Sequence, residues 1–139
     1  MRVFVDTNVF VRLTVMSDDD RQMKQAKKMF VQAKTGKLDL VTGPPVLFEV
    51  AWMLGRLYKR ANGEILNFLE AILSFPNLKV SDKEVVLEAI SLGRKTDETF
   101  ADCYIAVSAH RAEAEYVATF NKKHFAKLGR ELYPFEGDK

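Results

Sequence analysis

Short strand-like runs alternate along this chain with longer segments in which apolar residues recur at helical spacing. Val3, Phe4 and Val5 form the first run and stop at Asp6. A continuous apolar stretch of this kind reads as a buried parallel strand. Val9, Phe10, Val11 and Leu13 then predict a short helix. Ser17 or Asp18 offers an N-cap for a second helix, whose Met23, Ala26, Phe30 and Ala33 repeat on one face until Gly36. Leu38 to Thr42 alternates as a strand, and Gly43, Pro44 and Pro45 punctuate it before an apolar helix whose first turns include Pro45 and Glu49. That helix runs through Trp52 and Leu57. Asn62 and Gly63 interrupt it, and Ile65, Leu66, Leu69, Ile72 and Leu73 mark the next, which stops at Phe75-Pro76-Asn77. Leu78 to Val80 is a third strand. Ser81 or Asp82 caps a helix with Val86, Ala89, Ile90 and Gly93 on one face, and Thr96 or Asp97 caps another running through Phe100, Tyr104, Val107, Ala109 and Arg111. Glu115 to Thr119 reads as a last buried strand, a small helix starts at Asn121, and the tail past Tyr133 is expected to be loosely held. Alternating strands and helices, without repeats or flexible linkers, predict one domain over residues 1–139. Its class is a three-layer α/β/α fold with a mainly parallel central sheet.

Composition narrows the function classes. The 139 residues are 47% hydrophobic, enough for one core, and 21 basic against 19 acidic side chains leave a formal charge of +2. That balance permits a nucleic-acid partner without requiring one. The single Cys103 excludes an internal disulfide framework and a cysteine-built zinc site, which suits a reducing compartment, the cytoplasm. No apolar segment approaches the length of a membrane span, so a soluble protein is expected.

Three acids stand in apolar surroundings. Asp6 sits where the first strand stops, and ligands in open α/β sheets gather beyond the carboxyl ends of the strands. Capping of the following helix by Asp6 or Asn8 is the competing explanation. Glu49 lies among Val46, Leu47, Phe48, Val50, Ala51 and Trp52, where an ionised carboxylate calls for a compensating charge, unless it is a first-turn acid favoured by the helix dipole. Asp102, between Phe100 and Cys103-Tyr104-Ile105, is too far along to cap a helix that starts at Thr96 or Asp97; a salt bridge is its structural alternative. If the three converge, their repulsion demands a cation, and oxygen ligands suit Mg²⁺ or Mn²⁺ rather than a soft metal. His110 and His124 have no close-spaced ligand partner and read as ordinary surface or packing histidines. An open acidic cluster of this type points to phosphoryl-transfer chemistry.

Val5-Asp6-Thr7-Asn8, the helix-borne Glu49, Phe100-Ala101-Asp102 with Ile105-Ala106, and Ala118-Thr119-Phe120-Asn121 together resemble the PIN-domain nucleases, in an order that covers nearly the whole chain. In size and layout the chain is most similar to the VapC-type toxins of toxin–antitoxin pairs. The resemblance implies a PIN-like fold and a Mg²⁺- or Mn²⁺-dependent ribonuclease that leaves a 5′-phosphate and a 3′-hydroxyl. It also implies a homodimer inhibited by a VapB-type antitoxin. Asp6, Glu49 and Asp102 match the family's metal-binding acids, Thr7 and Asn8 the polar pair after the first acid, and Thr119 the hydroxyl after the last strand. Asn121 departs from the pattern. Many members carry a fourth acid in this region, so one metal should bind well and a second poorly, unless Asp97 or Glu98 restores the charge. Capping and solvation at a helix start are the alternative for both.

Lys122 and Lys123 are candidate RNA-backbone contacts, with Arg94-Lys95 and Lys59-Arg60 farther out; a solvated basic helix end is the simpler explanation of each pair. Tyr104 and Phe120 either stack a base or fill the core, and Trp52, Met53, Leu57 and Tyr58 form either a partner surface or internal packing. Two other functions fit parts of the pattern. A haloacid-dehalogenase-type phosphatase also opens on a strand ending in Asp, although it wants a second Asp where Asn8 stands. A non-catalytic RNA-binding module would accommodate the neutral Asn121. No Gly-x-Gly-x-x-Gly turn follows the first strand, which argues against a dinucleotide-binding domain.

Overall fold

The computed structural model describes residues 1–15 and 20–137. Ser17 and Asp18, the expected cap of the second helix, lie outside the described residues. In chain order the elements are β1 (Arg2–Phe4), α1 (Thr7–Thr14), α2 (Asp20–Lys34), β2 (Asp39–Thr42), α3 (Pro44–Arg56), α4 (Asn62–Ser74), β3 (Leu78–Val80), α5 (Lys83–Thr96), α6 (Phe100–Arg111) and α7 (Lys122–Lys127). They divide into two compact units, Met1–Lys83 and Glu84–Lys139.

In the first unit β1, β2 and β3 form a parallel sheet in that order, with Val3 opposite Leu40 and Leu40 opposite Leu78. Parallel neighbours need a crossover rather than a tight turn. Each crossover here uses two helices, α1 and α2 before β2, then α3 and α4 before β3. The expected α/β class and parallel sheet are therefore realised. β1 differs in detail from a strand buried on both faces: Phe4 is 62% exposed while Val5 is 1% exposed, so the first strand alternates. An apolar run cannot reveal which of its faces stays uncovered.

Helical spacing on α2 buries Ala26, Phe30 and Ala33 as predicted, while Met23, expected on the same face, is only half-buried. Phe30 meets Phe10 and Phe75 edge to face, with ring centroids 5.7 and 5.0 Å apart, the arrangement that ring quadrupoles favour. Asn77 takes a left-handed backbone, φ 59°, and its amide donates to the Ala33 carbonyl at 2.7 Å, tying the turn before β3 to the end of α2. The break between α3 and α4 falls at Leu57 to Ala61, so Asn62 and Gly63 open α4 instead of interrupting a helix. First-turn N–H groups lack intrahelical partners in any case, which makes weak helix formers tolerable there.

In the second unit α5 extends through Thr96, and Asp97, at φ 59°, ends it in the left-handed conformation common after helix C-termini. The N-cap of α6 is therefore Thr99, not Thr96 or Asp97. The expected strand at Glu115 to Thr119 reduces to one parallel bridge between Val117 and Leu132. Only Val117 of that stretch is buried, so a single pair of backbone bonds, from Val117 to Glu131 and from Tyr133 to Val117, is all that forms. Within the tail past Tyr133, Phe135 is better anchored than expected. Phe135 stacks on Phe120 with centroids 4.8 Å apart and meets Tyr133 edge-on at 5.2 Å. Among the described residues no helix is long and apolar enough to cross a membrane.

Candidate active site

Parallel strands bring their carboxyl ends to one edge of the sheet, where β1 delivers Asp6, β2 delivers Gly43 and β3 delivers Ser81. The edge is tight at Gly43, where a Cβ would lie 2.7 Å from the Ser81 hydroxyl. Thr42 donates its hydroxyl to the Val5 carbonyl at 3.0 Å and locks the end of β1 to β2. Asp6 then occupies the N-cap position of α1 with an extended backbone, yet its side chain makes no capping hydrogen bond. The carboxylate is exposed and not consumed by the helix start. Thr7 is 1% exposed, and its hydroxyl oxygen is buried without a hydrogen-bond partner among the described residues. Such an orphan is costly in a folded chain, and so points to a ligand or water. Asn8 is exposed at the lip of a cavity of about 470 Å³ shared with Arg12 and Gln25.

Glu49 corrects two expectations. It lies in the second turn of α3 and is exposed, so it is neither a first-turn acid nor a desolvated one. Its apolar neighbours in sequence turn to other faces of the helix: Val46, Leu47 and Val50 are buried.

Asp102 also sits differently from its sequence reading. With Thr99 as N-cap it belongs to the first turn of α6, where acids are favoured, and its N–H donates to the Thr99 hydroxyl at 3.3 Å. Half-buried Asp102 has no ion-pair partner among the described residues, which leaves its charge for another cation. Asp97 follows the end of α5 and does not cap α6; it is exposed, as solvation predicts. Glu98 is not. It is 7% exposed, accepts from His124 Nδ1 at 2.6 Å, and pairs with Lys127 Nζ at 3.4 Å. The His124 hydrogen bond, opposed by burial and helped by Lys127, holds the Glu98 carboxyl below the usual carboxylate range. His124 is therefore not an ordinary surface histidine. One ligand atom from each of Glu98, Asp102 and His124 lies within 4.8 Å of the others, a set able to hold a metal ion. The sequence already marks Glu98 as a source of charge near Asp102, and the three-residue spacing of His124 and Lys127 puts two nitrogen-bearing side chains on one face of a short helix.

Thr119 accepts from the Asn121 N–H at 2.9 Å and shapes the approach to α7. Asn121 is the exposed N-cap of α7, and its amide makes no cap bond. Lys122 and Lys123 follow in the first turn, the end where a helix dipole disfavours cations, so dipole stabilisation does not explain them. Arg94 and Lys95 close α5 at its favourable end, and Arg60 is engaged with the Thr14 carbonyl and Glu64. Phe120 is 87% exposed, stacked on Phe135 and outside the core. Trp52 and Leu57, 58% and 54% exposed, are likewise not explained by internal packing.

The PIN domain family model matches residues 3–131, taking in both units. The chain belongs to the PIN-domain family. This PIN-domain chain is also similar to a VapC ribonuclease of Aquifex aeolicus (strain VF5), 28% identical over 133 residues that cover 95% of this chain and 96% of that protein. Both findings support a nuclease and toxin family over the phosphatase reading. Within the second unit, the oxygen and nitrogen donors of Glu98, Asp102 and His124 fit a divalent cation.

Proposed function

We propose that this PIN-domain chain is a divalent-metal-dependent endoribonuclease, the toxin of a VapBC-type pair, and that Asp6, Glu49 and Asp102 are its metal-binding acids. The observation that carries this reading is similarity along nearly the whole chain to a protein named as a ribonuclease. The uncapped carboxylate of Asp6 at the end of β1 supports it. Mg²⁺ or Mn²⁺, when bound, supplies charge to polarise a phosphate and lowers the pKa of water. The residues do the rest. Asp6, Glu49 and Asp102 offer oxygen ligands, the Thr7 hydroxyl and Asn8 amide orient water or a carboxylate, and Thr119 holds the backbone of Asn121. Lys122 and Lys123 contact RNA phosphates. Hydrolysis leaves a 5′-phosphate and a 3′-hydroxyl without a covalent enzyme intermediate. Residues 1–139 act as a single catalytic domain in the cytoplasm, as a homodimer restrained by a VapB-type antitoxin.

Cleavage of defined RNAs with Mn²⁺ or Mg²⁺, by wild type and by Asp6→Asn, tests the reading. Wild type should cut and Asp6→Asn should not. Equal cutting by both removes Asp6 from the mechanism, and RNA binding without cleavage under either ion makes the chain a non-catalytic module.

A further inference from the structure

We propose that His124 is a nitrogen ligand for a divalent metal beside Asp102, held in place by buried Glu98. The site then takes a first-row transition ion in preference to Mg²⁺. This deepens the metal-dependent reading above and rests on it.

The chemistry follows from the hydrogen bond between Glu98 and His124 at 2.6 Å. A carboxylate accepts, so Nδ1 supplies the hydrogen in this contact, and Nε2 is the ring nitrogen left to face a metal. Metal-bound histidines characteristically hand their other N–H to a carboxylate, which sets ring orientation and raises ligand basicity. Lys127 Nζ, 3.4 Å from the other Glu98 oxygen, balances that carboxylate, making Glu98 a positioning residue rather than a ligand. Asp102 keeps the uncompensated charge, and one of its oxygens lies within 4.8 Å of a Glu98 oxygen and of a ring nitrogen of His124. The ring is held on a defined helix: Phe125, the next residue, is 4% exposed, and Thr119 fixes the Asn121 N–H at the start of α7. His124 itself is 48% exposed, open to an incoming ion. Mg²⁺ prefers an all-oxygen shell, whereas imidazole shifts preference toward transition ions.

Mn²⁺ added to the full chain provides the probe. Pulsed electron paramagnetic resonance should detect nitrogen coupled to the bound Mn²⁺ in wild type and lose it in His124→Gln. By calorimetry, Mn²⁺ affinity should fall about 10–100-fold in Glu98→Gln, at least as far in His124→Gln, and Mg²⁺ affinity by less than about threefold in both. Oxygen-only coordination in wild type, no Mn²⁺ binding, or an unchanged Mn²⁺ to Mg²⁺ ratio in His124→Gln overturns the assignment. The wild-type spectrum decides even where a variant fails to fold. Nitrogen coupling without RNA cleavage would sink the nuclease reading alone, and cleavage with oxygen-only coordination would sink this inference alone.

Discussion

Two threonines at the carboxyl edge of the sheet are buried alike and differ in one respect. Thr42 is 3% exposed and donates to the Val5 carbonyl at 3.0 Å, whereas Thr7 is 1% exposed and its hydroxyl has no partner among the described residues. Replacing each by valine exchanges hydroxyl for methyl at nearly constant shape. At Thr42 the change removes a made hydrogen bond and leaves the Val5 carbonyl short of a donor, costing about 1–3 kcal/mol. At Thr7 no bond is lost and the burial cost of an unpaired hydroxyl is relieved, a gain of about 1–2 kcal/mol. For a chain of this length each kcal/mol corresponds to about 3–5 °C in Tm. Thr7→Val should therefore melt about 3–10 °C above wild type, and Thr42→Val about 3–15 °C below it. Stabilisation that costs function marks a residue kept for its chemistry. RNA cleavage by Thr7→Val should drop about tenfold or more, with Thr7→Ser retaining most of it. Circular-dichroism melts read beside a cleavage assay measure both effects. If Thr7→Val loses stability as Thr42→Val does, the hydroxyl has a structural partner; if it gains stability and cuts RNA normally, Thr7 has no part in the site.

Glu49→Gln changes an exposed side chain in α3, so unfolding free energy should move by less than about 0.5 kcal/mol while RNA cleavage is lost; retained cleavage would remove Glu49 from the metal set. Burial pushes the Cys103 thiol from 9.0 up to about 11, so the folded chain favours the protonated form. That contribution is complete below pH 9.0 and fades as pH rises toward 11. Iodoacetamide labelling at pH 8 should be about 100-fold slower in the native chain than in urea, and comparable rates would contradict the burial. Phe30→Ala removes the ring that meets both Phe10 and Phe75 and should cost about 3–5 kcal/mol in urea unfolding, with a loss under 1 kcal/mol refuting its central packing role.

What the linear chain determined by itself was the alternation of strands and helices, the buried face of α2, and Asp6 at the end of β1. Apolar spacing and turn residues act over a few neighbours, so those features are written locally. The family was legible for a related reason, since ordered motifs survive in sequence even where each is weak. Only the tertiary structure decided which surfaces are covered. Glu49 and Phe120 look buried by their neighbours in sequence and are exposed, because burial depends on what packs from elsewhere. The start of α6 moved to Thr99 because Asp97 went left-handed at the end of α5, and that shift turned Asp102 into a first-turn acid. Glu98 and His124 lie 26 residues apart, and no local pattern pairs them. Folding the approach to α6 against α7 brings them within hydrogen-bond distance, where a carboxylate withdrawn from water needs the cationic or donor groups that His124 and Lys127 supply.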